Sequence, residues 1–183
     1  MEPDLLARQQ QLQDEARKVL SRLDGVFPRL LPTGSFVSGL MVWRELDVML
    51  LGGPSFSPRD VVALLRRAVD ITGLTGFDYR DERGPRSPTG EGRDERYHVG
   101  MTLRDWQIDL SIWLHDDHAN VTEWHVALAE RITPDQRLAV LQIKDVWHRR
   151  PEYQGGLEIY TAVLDHGVAT PAQFEEWLRL NRS

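Results

Sequence analysis

The spacing of apolar residues changes along the chain from a helical pattern to a strand-like pattern and back. Apolar side chains recur every three or four residues over 4–23, which predicts an N-terminal helix that stops at Gly25. Shorter apolar runs bounded by glycine, proline or charged residues follow, and they predict five strands. The predicted strands span 27–32, 45–51, 75–80, 96–103 and 106–114.

Helical patterns fill most of the remaining chain. Ser57 followed by Pro58 predicts the start of a helix that runs to about residue 72 and stops at Gly73. The stretch 81–95 is polar and broken by glycine and proline, which predicts a loop. Beyond the last strand, the pattern predicts four more helices, over 118–131, 134–149, 156–165 and 171–181. We therefore expect an α+β fold, with a mixed twisted sheet of about five strands flanked by helices and a C-terminal helical region.

The change from a mixed to an all-helical pattern divides the chain into three parts. We expect an N-terminal helix over 1–26, a core that contains the sheet over 27–117, and a C-terminal helical region over 118–183.

Charge and composition limit the classes of partner and location. The 183 residues include 28 acids and 22 bases, a net charge of −6, whereas broad nucleic-acid surfaces show clustered excess base. The chain has no cysteine, and no apolar run approaches the ~20 residues that span a bilayer. Its polar N-terminus lacks the apolar core of a signal peptide. We expect a cytoplasmic protein that does not enter a membrane and for which nucleic acid is an unlikely partner.

Two acids interrupt an otherwise apolar predicted strand. Glu45 and Asp47 lie two residues apart, so their side chains point to the same face. Adjacent carboxylates repel each other, and a cation between them would relieve the repulsion; oxygen-rich pairs of this kind suit Mg²⁺. A third acid, Asp109, lies among apolar residues of a later strand, and Gly34-Ser35 forms a turn that could present backbone N–H groups to a phosphate.

This arrangement resembles the nucleotidyltransferase superfamily with the DNA polymerase beta-like fold. That family shows an apolar strand, Gly-Ser, a spacer of about nine to thirteen residues, an acid–apolar–acid–apolar run and a third acid on a later strand. Here Gly34-Ser35 is followed by a spacer of nine residues, then Glu45-Leu46-Asp47-Val48, and later Ile108-Asp109-Leu110. The resemblance covers roughly residues 27–115, and the domain layout is similar to that of the small antibiotic-modifying branch.

The resemblance implies a role for each matching residue. Glu45, Asp47 and Asp109 would hold Mg²⁺, and Asp109 would bind a second metal or take the proton of the attacking hydroxyl. Gly34 and Ser35 would contact the phosphates of a nucleoside triphosphate. It also implies transfer of a nucleoside monophosphate from the triphosphate, with ATP as the expected donor, to a hydroxyl acceptor. Acidic charge and small size favour a small-molecule acceptor.

Lys144 is a further candidate on a predicted helix beyond the third acid. In related transferases a lysine at such a place contacts the triphosphate, whereas the alternative is an ordinary lysine on the surface of an amphipathic helix. The segment 115–125 gathers three histidines and three acids. It would suit a metal site, but acids and histidines also commonly occupy a solvated helix start.

Two further alternatives stay open from the residues. In the first alternative, the enzyme transfers the nucleotide to a protein or to an RNA end, as in toxin–antitoxin pairs, rather than to a small molecule. Alternatively, if Asp47 is the first acid of the motif, Met49 occupies the second position, and the chain is a catalytically silent binding protein that retains the fold.

Overall fold

A five-stranded mixed sheet forms the centre of the computed structural model, which describes residues 2–88, 95–115, 119–153 and 155–182. In spatial order the sheet is β1-β2-β5-β4-β3. The β2–β5 pair is parallel and the other three pairs are antiparallel. The strands are β1 Leu31–Pro32, β2 Glu45–Leu51, β3 Leu74–Glu82, β4 Arg96–Leu103 and β5 Trp106–Trp113. This confirms the predicted mixed sheet of five strands.

Seven α-helices and one short 3₁₀ helix over Gly84–Arg86 are present in the described residues. Ser57 begins the third helix with a capping box to Asp60, and Thr133 begins the fifth with one to Gln136, as serine and threonine caps do. The helices are α1 Glu2–Asp24, α2 Gly34–Ser38, α3 Pro58–Ala68, α4 Ala119–Arg131, α5 Pro134–Trp147, α6 Leu157–His166 and α7 Pro171–Asn181. The predicted C-terminal helical region is confirmed.

The two faces of the sheet differ in chemistry because side chains alternate along each strand. On β2, the side chains of Leu46, Val48 and Leu50 are buried in a core shared with α1 and α3. Glu45 and Asp47 alternate with them and so occupy the opposite face. One face of the sheet therefore anchors the fold, and the other presents the carboxylates.

A second hydrophobic cluster holds the C-terminal helices against this carboxylate side. It consists mainly of buried side chains from α5, α6 and α7, and it takes in Leu40 and Val42 from the segment between α2 and β2. The spacer between Ser35 and Glu45 is thus packed against the C-terminal helices. No helix in the described ranges combines the length and the apolar character that crossing a membrane requires.

The predicted strand over 27–32 is wrong for most of its length. The backbone N–H of Phe27 donates to the Leu23 carbonyl at 2.8 Å, which extends the end of α1 into a turn. Arg29 has a φ of 59°, a left-handed conformation that interrupts an extended strand. Only Leu31 and Pro32 pair with β2.

Smaller differences concern the ends of elements. α3 ends at Ala68 rather than near residue 72, and β3 extends to Glu82, into the stretch that the sequence predicts as loop. Part of that stretch, residues 89–94, lies outside the described residues. The predicted hairpin between β4 and β5 is confirmed, and its turn places Arg104 in the left-handed region with a φ of 58°.

Candidate active site

The two central strands bring the predicted acids together. β2 and β5 are parallel neighbours, and their register pairs Asp47 with Asp109 and Glu45 with Gln107. Register partners on adjacent strands point to the same face of a sheet. Glu45, Asp47 and Asp109 therefore share one face, at the junction of two strands that are far apart in the sequence.

The residues before α2 lie directly against Asp47. The backbone N–H of Thr33 donates to the Asp47 carbonyl at 3.0 Å. Gly34 has a φ of 62°, and a Cβ at this position would collide with the carboxylate of Asp47. The hydroxyl of Thr33 is buried and has no hydrogen-bond partner in the structure. Glycine is thus required at position 34 for two independent reasons, and an unpaired hydroxyl lies beside it.

The short helix α2 is held by its own backbone and by the segment that follows. The Ser38 hydroxyl donates to the Gly34 carbonyl at 3.2 Å, and the Leu40 N–H donates to the Ser35 carbonyl at 2.9 Å. Gly39 ends the helix in the left-handed conformation, with a φ of 68°. These bonds fix Ser35 at the edge of the carboxylate face, where the sequence predicts a phosphate contact.

Lys144 on α5 reaches the same site from the C-terminal helices. It is only 2% exposed, so the interpretation of Lys144 as an ordinary surface lysine is wrong. Its ammonium donates to the Leu40 carbonyl at 2.9 Å and to the Tyr160 hydroxyl at 3.4 Å, and it lies 5.2 Å from the centre of the Trp43 ring. An ammonium has three N–H donors, so one remains for a ligand.

These elements enclose a cavity of about 480 Å³ between the sheet and the C-terminal helices. All six residues predicted for the site line it, together with aromatic and further polar side chains from β4, α4, α6 and the segment before α6. The predicted lining residues are Gly34, Ser35, Glu45, Asp47, Asp109 and Lys144; others include Thr33, Arg96, His98, Ser111, Trp113, Trp124, His125, Tyr153 and Tyr160.

The carboxylates are under electrostatic strain in this cavity. Burial, followed by the nearby carboxylate of Asp47, raises the pKa of Glu45 to about 8. Burial, followed by the carboxylate of Asp109, raises the pKa of Asp47 to about 6. The ammonium of Lys144 opposes both shifts but does not cancel them. Burial and mutual repulsion therefore both disfavour simultaneous ionisation of these carboxylates in the ligand-free protein.

The donor set fits a hard divalent cation. Carboxylate oxygens are the ligands that Mg²⁺ prefers, and a bound cation would lower the pKa of both raised carboxyl groups. In the described parts of the chain, however, no three Asp, Glu or His side chains are already arranged as a complete metal site. Mg²⁺ takes only one or two protein carboxylates and completes its shell with water and phosphate oxygens, so a complete protein cage is not needed.

Several lining residues have no counterpart in the sequence interpretation. His98 on β4 places its Nε2 atom 3.3 Å from Oδ1 of Asp109. Arg96, two residues earlier, pairs with Glu82 at 2.8 Å and so brings a second cation to the cavity wall. Tyr153 lies in the segment between α5 and α6, and burial raises the pKa of its hydroxyl group. Alternation along β4 places Arg96 and His98 on one face, but only the strand register shows which acid they approach.

The predicted metal alternative over 115–125 gains no structural support. Residues 116–118 lie outside the described residues, and with them part of the predicted ligand set. His125 is described, and it packs edge-on against Trp124 with ring centres 4.9 Å apart. Burial, followed by the charge of Lys144, lowers the pKa of His125 to about 4. This histidine is therefore a neutral part of the cavity wall near pH 7.

Comparisons with known proteins identify the fold. No protein-family model matches the chain, and no curated protein matches it in sequence. Several solved structures do match. A cytoplasmic RNA terminal U-transferase has a TM-score of 0.58 at 16% identity over 84% of this chain. The polymerase core of TRAMP, an RNA surveillance complex, has a TM-score of 0.51 at 14% identity over 93% of this chain. The Cid1 poly(U) polymerase with Mg and 3'-dATP bound has a TM-score of 0.52 at 15% identity over 72% of this chain.

The chain has the DNA polymerase beta-like nucleotidyltransferase fold, as its Gly-Ser and acid motif indicates. It spans 40% of the Cid1 chain, 47% of the U-transferase and 56% of the TRAMP core. At these identities the likeness concerns the fold. The expected similarity to the antibiotic-modifying branch gains no support from these structures.

Proposed function

We propose that this protein is a metal-dependent nucleotidyltransferase that transfers a nucleoside monophosphate from a nucleoside triphosphate to the terminal hydroxyl of an RNA. The observation that carries the proposal is the pairing of Asp47 with Asp109 across parallel strands, in a cavity that also contains Lys144 and the Thr33–Ser35 turn. Acids and phosphate-binding groups converge there from four separate elements.

The charge distribution of the cavity supports a triphosphate as the donor substrate. Glu45, Asp47 and Asp109 would hold Mg²⁺, which when bound supplies charge neutralisation at the phosphates and polarises the reacting phosphoryl group. The remaining N–H of Lys144 and the hydroxyl groups of Thr33 and Ser35 would bind phosphate oxygens. The absence of a side chain at Gly34 leaves room for the Asp47 carboxylate directly beside the backbone that would contact the phosphates.

The reaction is an in-line displacement at the α-phosphorus. The hydroxyl oxygen of the acceptor forms a bond to that phosphorus, the bond to the bridging oxygen breaks, and pyrophosphate leaves. A carboxylate oxygen of Asp109 is the group that we assign to accept the proton of the attacking hydroxyl, since its other oxygen faces His98. The aromatic side chains of Tyr153, Tyr160 and Trp124 would exclude water from the nucleotide.

The choice of RNA as acceptor is supported by the structural neighbours, which include an RNA terminal U-transferase and a poly(U) polymerase. The small-molecule acceptor expected from the net charge, and the expectation that nucleic acid is an unlikely partner, gain no support from them. A net charge of −6 describes the whole chain, whereas the cavity contains both Lys144 and Arg96.

A transfer assay with α-labelled nucleotides tests this proposal. Each of the four nucleoside triphosphates is incubated with Mg²⁺, the protein and one of two acceptors: a single-stranded RNA, or a cationic polyhydroxyl small molecule. Transfer of label to the RNA, abolished by Asp109→Asn, is expected. Transfer only to the small molecule would overturn the choice of acceptor, and no transfer to either acceptor would contradict the proposed reaction.

A further inference from the structure

A row of polar side chains crosses three neighbouring strands and ends at Asp109. Nη2 of Arg80 on β3 lies 3.0 Å from Nδ1 of His98 on β4. Nε2 of the same imidazole lies 3.3 Å from Oδ1 of Asp109 on β5. Arg80 and His98 are register partners, so the strand pairing itself holds them side by side. The side chain of His98 is 11% exposed and that of Asp109 is 24% exposed, so the contact between them is partly shielded from water.

Arg80 determines which nitrogen of His98 carries the proton. A guanidinium has five N–H donors and no acceptor, so the Nδ1 atom that it contacts must accept. A neutral imidazole with an accepting Nδ1 carries its proton on Nε2, which is the atom that faces Asp109. The contact with Asp109 is therefore one of an N–H group with a carboxylate oxygen, and it is attractive.

Arg80, whose side chain is 58% exposed, contacts two acids on its own strand. Its Nε atom donates to Oδ2 of Asp78 at 3.1 Å, and Nη1 lies 3.8 Å from Oε1 of Glu82. The room for Asp78 depends on Gly100, because a Cβ at position 100 would collide with the Asp78 carboxylate. Gly100 is also the register partner of both Asp78 and Asp109. The position of the Asp78 carboxylate, and with it the contact to Arg80, therefore depends on glycine at position 100.

We propose that His98, held by Arg80 as the Nε2–H tautomer, is a positioning residue that fixes the orientation of the Asp109 carboxylate. With Oδ1 directed at the imidazole, Oδ2 is the oxygen left for a cation or for the attacking hydroxyl. Residues behind a metal-binding carboxylate orient it in this way in many metal sites. The consequence for catalysis rests on the proposed function, but the tautomer and its dependence on Arg80 do not.

Nitrogen NMR of the histidine side chains tests the tautomer without any substrate. In ¹⁵N-histidine-labelled protein at about pH 8, we expect the His98 Nε2 to show a protonated shift and Nδ1 an unprotonated one. In Arg80→Met, which removes the donor to Nδ1, this preference should weaken or reverse. Arg179→Met, which removes an exposed arginine on α7 that pairs with Glu176, is the matched control. A protonated Nδ1 in the wild-type protein would overturn the inference.

Kinetics test the positioning role. We expect His98→Phe to lower kcat by about 10- to 100-fold, with a smaller change in KM for the triphosphate. Losses of this size are typical when a residue that hydrogen-bonds to a metal ligand is replaced. His98→Gln, which restores an N–H donor at the end of the side chain, should recover most of this loss. His166→Phe, at an exposed position on α6, should change neither constant. Wild-type kcat in a folded His98→Phe variant, or no recovery in His98→Gln, would overturn the positioning role.

The two measurements separate this inference from the proposed function. A wild-type protein with the Nε2–H tautomer but without nucleotide transfer would contradict the proposed function and leave the assigned tautomer in place. An active enzyme with a protonated Nδ1 in His98 would give the opposite result. It would support the proposed nucleotide transfer and contradict the assignment of the His98 tautomer to Arg80.

Discussion

Asp47 and Asp109 are register partners on the two parallel strands at the centre of the sheet, although they lie far apart in the sequence. Burial and the Asp109 carboxylate together disfavour ionisation of Asp47, whose pKa is raised to about 6. Such an arrangement lowers the stability of the ligand-free protein, so stability and ligand binding are coupled at this pair.

Replacing Asp47 by asparagine should stabilise the protein while removing its function. Burial and Asp109 disfavour the charged form of Asp47, so Asp47→Asn relieves a desolvated charge. We expect the free energy of unfolding at pH 8 to rise by about 1–2 kcal/mol, within the range seen when strained functional groups are removed. Urea unfolding without metal measures it. A variant that is less stable than wild type would contradict the electrostatic account.

The same carboxyl groups predict a pH dependence of stability in the absence of metal. Unfolded Asp and Glu lose their protons near pH 4, whereas folded Asp47 and Glu45 keep theirs to about 6 and about 8. The folded state therefore binds more protons between these values, and this contribution to the free energy of unfolding falls as pH rises from 4 to 8. Saturating Mg²⁺ should restore stability at pH 8 in the wild type but not in Asp47→Asn.

Glycine at position 34 should be essential because of its contact with Asp47 as well as its conformation. Gly34→Ala combines a φ of 62° with a collision against the Asp47 carboxylate. Gly53→Ala is the matched control, since Gly53 has a φ of 79° but a Cβ there would meet no atom within 4 Å. We expect both variants to lose about 1 kcal/mol for the left-handed backbone, and only Gly34→Ala to lose triphosphate binding. Equal binding by the two variants would contradict the assignment.

Lys144 should contribute to binding of the triphosphate. Lys144→Met removes the ammonium whose charge favours ionisation of Glu45, and leaves the Leu40 carbonyl without its donor. We expect the affinity for the triphosphate to fall by about 10- to 100-fold, the loss of one or two charge-assisted hydrogen bonds. Lys18→Met is the natural control, because Lys18 is the other lysine of the chain and is exposed on α1. Calorimetry on both variants measures the difference.

The sequence predicted most of what positions the site. Apolar runs with flanking glycine, proline or charged residues located β2, β4 and β5, and the Ser57-Pro58 pair marked a helix start. The strand over 27–32 failed because Arg29 adopts a left-handed conformation, which local apolar content does not reveal. An apolar pattern indicates which side chains are buried. The backbone dihedral angles of single residues, which the pattern does not reveal, decide where a strand can begin.

The site was predicted less completely than the fold. Glu45, Asp47 and Asp109 stand out because acids interrupt apolar strands, and all three line the cavity. His98 belongs to an alternating strand, and nothing in the sequence distinguishes it from a histidine on a solvated face. Its importance follows from the antiparallel register of β3, β4 and β5, which is a long-range property.

The carboxylates of this cavity should bind a nucleoside triphosphate together with Mg²⁺, and calorimetric titration of each of the four triphosphates with and without Mg²⁺ tests this most directly. The titration compares the wild type with Asp109→Asn and with Asp165→Asn, an exposed aspartate on α6. We predict Mg²⁺-dependent binding of at least one triphosphate that Asp109→Asn weakens at least about tenfold and that Asp165→Asn leaves unchanged. Binding of none of the four, or equal binding by all three proteins, would contradict the account.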